Sequence, residues 1–337
     1  MPAKIFIDGE SGTTGLGIRT RLQAYPEIEL LILQPKQRKD LGAKKVLMEQ
    51  ADIVVVCLPD DAACESVAIA SALGENAPRI LDASTAHRIA NGWIYGFPEL
   101  DPGQADAIAR AKLVANPGCY ATGAIALLRP LVDAGLVPAD FPLSIHAVSG
   151  YSGGGKTMIA DYESGAAPVF EAYGLSLEHK HVPEIVRYAK LARRPIFTPF
   201  VGNFAQGMLV CVPLFLVDLP LKPKGADILN ALAQRYLESP LIKVMPGEDS
   251  GRVAPQSLNG TDQLELRVFA KDLRGQAVLV AKLDNLGKGA SGAALQNLQL
   301  MLKHQPSSPT PPQEPKSPGK DHRPQVRGLR SENQRSI

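Results

Sequence analysis

Cys119, His179 and His181 are the side chains whose type and setting point to chemistry. Cys119 follows the tight turn Asn116-Pro117-Gly118, which ends a short apolar strand, Leu113 to Ala115, and it is the first residue of a helical pattern. A thiol there meets unpaired backbone N–H groups and the positive end of the helix dipole, which favour thiolate over thiol at neutral pH. The competing reading, a small buried hydrophobe, suits Cys57, Cys64 and Cys211, which sit inside strand or helix patterns. His179 and His181 stand just ahead of a helix through Leu191 with Pro183 in its first turn, where imidazole can serve as acid or base near neutral pH. A solvent-facing pair with no chemical role is the alternative for these two.

Elements with a recognisable grammar surround these residues. Lys4 to Asp8 reads as a strand, then Gly9-Glu10-Ser11-Gly12-Thr13-Thr14-Gly15 as a glycine-rich turn, then a helix to about Tyr25. Strand, turn and helix in that order let backbone N–H groups approach a pyrophosphate, although the spacing is G-x-x-G-x-x-G and not the usual G-x-G-x-x-G. The next strand, Ile28 to Leu33, leads into Lys36, Arg38 and Lys39, with no carboxylate until Asp40. Cations in that loop favour NADP over NAD, because they suit a 2′-phosphate. The apolar run Ala51 to Leu58 predicts a parallel strand covered on both faces, followed by a helix from Pro59 to about Leu73. Ser84, His87 and Arg88 follow the strand Arg79 to Ala83, at the sheet edge where ligands sit.

After the Cys119 helix the texture changes. Pro142 to Ser149 predicts a strand, and Gly150 to Lys156 a second glycine-rich loop ahead of a helix at Thr157. It lacks the full phosphate-loop frame, so the reading is a close approach to a ligand with Lys156 free for an anionic group. Long strand patterns at Gly207 to Val217, Leu264 to Ala270 and Gln276 to Asp284 predict a mixed or antiparallel sheet. Asn285 to Ala294, rich in small residues, starts a last helix that can return to the first domain. From Gln305 the chain is rich in Pro, Ser and charge, the composition of a disordered tail over 305–337.

Composition narrows the function classes. The 337 residues, 45% hydrophobic and 21% charged, are those of an ordinary globular chain long enough for two domains. A net charge of +2 without a basic, aromatic-laced stripe gives no case for nucleic acid, and no apolar run approaches a bilayer span. MPAKIFIDG runs straight into a strand without the regions of a signal peptide. Four cysteines without C-x-x-C spacing predict neither metal site nor disulfide framework, and a reduced cytoplasmic setting.

In NPGCYATG, HKHVPEI and DNLGKGASGAALQN, supported by GESGTTG and CLPDDAA in the same order, the chain resembles the N-acetyl-gamma-glutamyl-phosphate reductases of arginine biosynthesis, in their shorter type. The resemblance covers roughly residues 1 to 304; DASTAHR departs from the wider family's serine-and-arginine pattern, and the tail has no counterpart. It implies an α/β fold of the glyceraldehyde-3-phosphate and semialdehyde dehydrogenase kind. A Rossmann-type NADP-binding domain of residues 1–115 plus 286–304 would be joined to an α+β catalytic and oligomerisation domain, 116–285, with a mixed sheet. It also implies NADPH-dependent reduction of an acyl phosphate, N-acetyl-L-glutamyl 5-phosphate, through a Cys119 thioester. His181 would be the proton carrier and His179 a substrate or relay contact. The cofactor set would be Gly9, Ser11, Gly12, Thr13, Thr14, Gly15, Lys36, Arg38, Asn285 and Gly287. The substrate set would be Ser84, Arg88, Asn116 and Lys156, and the assembly a homodimer or homotetramer. Three rivals differ in class: an aspartate-semialdehyde dehydrogenase-like enzyme, a non-catalytic dinucleotide-binding protein and a thiol hydrolase.

Overall fold

The computed structural model describes residues 2–248 and 250–303. The expected disordered tail, 305–337, and His304 of the first expected domain lie outside the described residues.

The first half is built of strand–helix units: β1 (Ala3–Asp8), α1 (Thr13–Leu22), β2 (Ile28–Leu31), α2 (Leu41–Gln50), β3 (Ile53–Val56), α3 (Asp60–Ser71), β4 (Arg79–Asp82), β5 (Ile94–Tyr95), α4 (Gln104–Arg110) and β6 (Leu113–Ala115). The strands form a six-stranded parallel sheet in the order β2-β1-β3-β4-β6-β5. Successive side chains of a strand point to opposite faces, and here both faces are buried. Ile5, Ile7, Ile53 and Val55 pack with Ile18 and Leu22 of α1 and Ile108 of α4, whereas Phe6, Val54 and Val56 pack with Met48 of α2 and Ala63 and Ala70 of α3. This two-sided cover is why the central strands read as unbroken apolar runs.

The second half begins with α5 (Cys119–Asp133), followed by β7 (Ser144–Gly150), α6 (Gly155–Glu163), β8 (Phe170–Ala172), α7 (Val182–Tyr188), β9 (Ile196–Gly202), β10 (Met208–Phe215), α8 (Gly225–Arg235), β11 (Ile242–Pro246), β12 (Leu264–Lys271) and β13 (Gln276–Leu283). Their seven strands make one mixed sheet, β11-β12-β13-β10-β7-β9-β8. One face is packed by α5, α7 and α8 around Ile125, Leu128, Ile185, Val210, Val212, Ile228, Leu266 and Leu279. A π-helical turn, Gly287–Ser291, then leads into α9 (Gly292–Lys303), whose Ala294, Leu298 and Met301 join the core beneath the first sheet.

The parallel sheet, the mixed sheet, the helix start at Cys119 and the returning last helix agree with the sequence reading. Edges differ: α1 ends at Leu22, not near Tyr25, and β2 and β3 are trimmed to four residues each. Five elements were not anticipated. Helix α2 is announced by Asp40, whose carboxylate accepts the Gly42 and Ala43 N–H groups as an N-cap. Strand β9 was masked by Pro199, which lacks a ladder N–H and lies one residue beyond the stretch that β8 pairs. Strands β8 and β11 have three and five residues, and their patterns alone do not separate them from loops, whereas the 11-residue α8 buries Ile228 and Leu232 at helical spacing and was legible but passed over.

Candidate active site

Loops at the ends of both sheets meet at a cleft of about 530 Å³. Cys119 opens onto it from the first turn of α5, half-buried and unpaired with any other cysteine. The turn ahead of the thiol is unusually crowded. A Cβ built on Gly118 would stand 2.5 Å from Arg88 Nη1, 2.5 Å from His181 Nε2 and 2.6 Å from Glu184 Oε1. Any side chain at 118 would displace these three groups, so glycine is what lets them converge beside the thiol.

Glu184 ties this assembly together. Its carboxylate, 1% exposed in α7, accepts from Arg88 Nη1 at 2.7 Å, from the Tyr95 hydroxyl at 2.6 Å and from the Gly118 N–H at 3.1 Å. Arg88 also donates from Nε and Nη2 to the carbonyls of Asn116 and Ala83, at 3.0 and 3.4 Å. The guanidinium expected to hold substrate is therefore engaged by three protein acceptors, and it lines the cleft as a fixed positive charge. Asn116 is likewise committed: its Nδ2 donates to Ala290 O at 3.2 Å and its Oδ1 accepts from Asn297 Nδ2 at 3.0 Å. Ser84 lines the cleft with its hydroxyl donated to Asp82 at 2.7 Å. His87, turned the other way, stacks on Trp93 and binds Asp82 through Nδ1 at 2.6 Å.

Both histidines of HKHVPEI line the cleft. His181 is buried with Nδ1 free of any protein partner, and burial, with Arg88, His179 and Lys180 nearby, holds its imidazole well below the ordinary 6.5. His179 is pushed down to about 4 by burial and by Lys180, and its Nδ1 accepts the His181 backbone N–H at 3.2 Å. At neutral pH both rings are therefore uncharged.

The thiol departs from expectation. Burial pushes Cys119 up from its ordinary 9.0; Arg88 and the Tyr120 N–H pull down, Glu184 pushes up, Lys180 pulls down, and the rise prevails. The helix start does act on the sulfur as anticipated, but loss of water outweighs it. The resting group is a thiol beside neutral imidazoles, and a thiolate must be generated by proton transfer.

Of the expected cofactor residues, Gly12, Thr13, Thr14 and Asn285 line the cleft; Lys156, expected to bind substrate, stands on it as an exposed cation. Gly9 has φ +94°, and a Cβ there would collide with the Cys57 carbonyl, so it shapes the turn from below. Ser11 and Gly15 frame the turn away from the cleft, and Gly287 packs on the Thr261 carbonyl. Lys36 and Arg38 lie on the exposed loop after β2, where Arg38 reaches back to Glu10 of the glycine turn at 3.1 Å. Asn285 holds the Gly207 N–H and the Ser152 hydroxyl, each at 2.9 Å, and so fastens the second glycine-rich loop.

Sequence reasoning passed over Glu184, Tyr95, Lys180, Tyr120 and Tyr173. Glu184 carried a faint signal, an acid in the first turn of a helix beside two histidines, but such acids are commonplace. The tyrosines carried none. Tyr120 and Tyr173 share a hydroxyl–hydroxyl bond of 3.2 Å across 53 residues.

Known proteins resemble this chain over most of its length. Residues 4–108 match the semialdehyde dehydrogenase NAD binding domain and residues 119–285 the semialdehyde dehydrogenase dimerisation domain. The N-acetyl-gamma-glutamyl-phosphate reductase of a Chelativorans species is 55% identical over 309 residues, covering 90% of this chain and 99% of that protein. The enzyme of the same name from Brucella ovis is 52% identical over 310 residues, with the same coverage. Among solved structures, aspartate semialdehyde dehydrogenase II of Vibrio cholerae superposes with a TM-score of 0.69 at 16% identity, over 90% of this chain and 99% of that one. Aspartate semialdehyde dehydrogenase of Candida albicans, solved with NADP, gives 0.62 at 16% identity over the same shares. At that identity the likeness speaks for the fold alone. The sequence identity goes further: the chain belongs to the semialdehyde dehydrogenase family and, within it, to the N-acetyl-gamma-glutamyl-phosphate reductases.

Proposed function

We propose that the chain reduces N-acetyl-L-glutamyl 5-phosphate to N-acetyl-L-glutamate 5-semialdehyde with release of phosphate, using NADPH, in arginine biosynthesis. The observation that carries the reading is Cys119 at a helix start, on the cleft wall, with His181 and Arg88 converging on the residue before it.

His181, neutral in its buried setting, takes the thiol proton, and the thiolate formed is steadied by the Tyr120 N–H and the Arg88 charge. The Cys119 sulfur adds to the acyl carbon and the C–O bond to phosphate breaks, leaving a thioester. The chemistry a nicotinamide held on the first glycine turn would supply is hydride to this thioester. His181 returns its proton to the developing oxyanion, and collapse of the thiohemiacetal releases aldehyde and frees the sulfur. His179 bonds the His181 backbone and sets that ring's place. Lys156, exposed in the first turn of α6 just past the second glycine-rich loop, faces an anionic group of the substrate, and the fixed charge of Arg88 adds to the field.

The glycine turn fits a dinucleotide. Gly9 bends the chain in a conformation closed to other residues, Gly12, Thr13 and Thr14 line the cleft at the start of α1, and Arg38 beside Glu10 brings a cation to the turn. NADP is thus held by residues 1–115 with the returning α9, and residues 116–285 carry the chemistry; this division is supported by separate cores, two on the faces of the first sheet and one on the mixed sheet, the last also taking in Tyr95, Phe97 and Leu100. The oligomer, a homodimer or homotetramer, forms on the mixed sheet's uncovered face, where Ile196, Thr198, His146, Cys211, Pro213, Phe215 and Val278 are partly or fully exposed. The cytoplasm suits four free cysteines.

The test is phosphate-dependent reduction of NADP with N-acetylglutamate semialdehyde, run beside Cys119→Ala. The parent is expected to turn over and the variant to lose on the order of 10³-fold or more while still binding NADP. Turnover by the variant, or a parent that prefers aspartate semialdehyde, would sink the reading.

A further inference from the structure

Behind the thiol lies a largely buried cluster of charge that the mechanism above does not use. Lys288 is 1% exposed, yet it carries an ammonium group. Its Nζ meets both carboxylate oxygens of Glu99, at 2.8 and 3.0 Å, and Gln296 Oε1 at 2.6 Å, which engages all three donors. Gln296 closes the ring by donating Nε2 to Glu99 at 2.9 Å. The three side chains come from separate places: the loop after β5, the π turn and helix α9.

The turn that holds Lys288 touches the nucleophile. Gly289 packs so closely on Cys119 that a Cβ there would stand 2.9 Å from the cysteine Cβ. The next carbonyl, Ala290, accepts from Asn116, which begins the turn into Cys119. With glycine at 287 and 289 and at 292 just beyond, this stretch has little side chain of its own to set its place. A buried ion pair is also a weak means of stabilising a fold, since apolar residues of like volume serve as well. What an ammonium held on three oxygens does supply is one fixed position, and π turns gather at functional sites.

We propose that Lys288, clamped by Glu99 and Gln296, is a positioning residue that seats the Gly287–Ser291 turn against Cys119 and so fixes the sulfur in the cleft. The proposal rests on the reading of Cys119 as the nucleophile.

Two variants of the full chain test it. Lys288→Met with Glu99→Leu removes both charges together, and Gln296→Leu removes one tether while leaving the ion pair. Each is measured for kcat, KM and melting temperature, and for carboxymethylation of Cys119 by iodoacetate at neutral pH without substrate. Displacing a reacting atom by about 1 Å costs on the order of 10²-fold, so the double variant should lose about that much in kcat and Gln296→Leu about tenfold, with KM values within about threefold. Melting temperatures should stay near the parent's, and carboxymethylation should quicken by about threefold or more, because a loosened turn admits water to the buried thiol. Parental kcat and parental carboxymethylation in either folded variant would overturn the proposal. So would a kcat loss that merely tracks melting temperature with the alkylation rate unmoved. Should the double variant not fold, Gln296→Leu decides alone. If the parent itself does not turn over the acyl phosphate, the reductase reading falls, while the alkylation rates still report on the turn.

Discussion

At the scale of single residues, the site is governed by how little room surrounds the sulfur. Gly118→Ala would drive a methyl group into Arg88, His181 and Glu184, and it is expected to cost about 10²-fold in kcat through misplacement of the acid/base and the thiol. Steady-state kinetics with circular dichroism as a folding control checks it. The same burial sets the pH behaviour. Because Cys119 is pushed above 9.0, carboxymethylation of the free enzyme should rise through neutral and mildly alkaline pH without levelling before 9.0. His179 is held to about 4 against an ordinary 6.5, so as pH falls through 6.5 the unfolded chain binds a proton that the folded chain refuses. Stability is therefore expected to fall from pH 6.5 towards 4 and not on the alkaline side. Melting curves across that range should show a smaller loss in His179→Gln than in the parent; an identical loss would remove His179 from the account.

At the scale of elements, the first glycine turn and its neighbouring loop act as a unit. Gly9 sits at φ +94° against the Cys57 carbonyl, and Arg38 ties the loop after β2 to Glu10. Arg38→Leu should raise KM for NADPH by about tenfold and leave KM for NADH nearly unchanged, because one cation facing a 2′-phosphate is worth about 1.4 kcal/mol or more. Equal effects on both cofactors would show that the residue only braces the turn. These elements were largely legible beforehand, since strand, glycine turn and helix follow from spacing within a dozen residues. Helix α2 was within reach too, through its Asp40 cap. Strand β9 was not, because the proline that argues against a strand is tolerated only by virtue of where β8 stops.

At the scale of the whole molecule, the mixed sheet is covered on one face and open on the other. Register aligns Thr198 with His146, His146 with Cys211 and Pro213 with Val278, a band of partly and fully exposed side chains across four strands. Open apolar faces of this kind mark interaction sites. Phe215→Asp with Val278→Asp is expected to shift sedimentation velocity from the assembled towards the monomeric species; unchanged sedimentation would place the interface elsewhere. The sequence by itself determined the parallel sheet, the thiol at the head of a helix and the order of the glycine loops, because periodicity and turn chemistry act between near neighbours. The tertiary structure alone decided that Arg88 and the Gly118 N–H meet the Glu184 carboxylate, across 96 and 66 residues respectively. It also decided that the sulfur rests as a thiol, since loss of water is summed over every element closing around the atom, and no local pattern carries that sum.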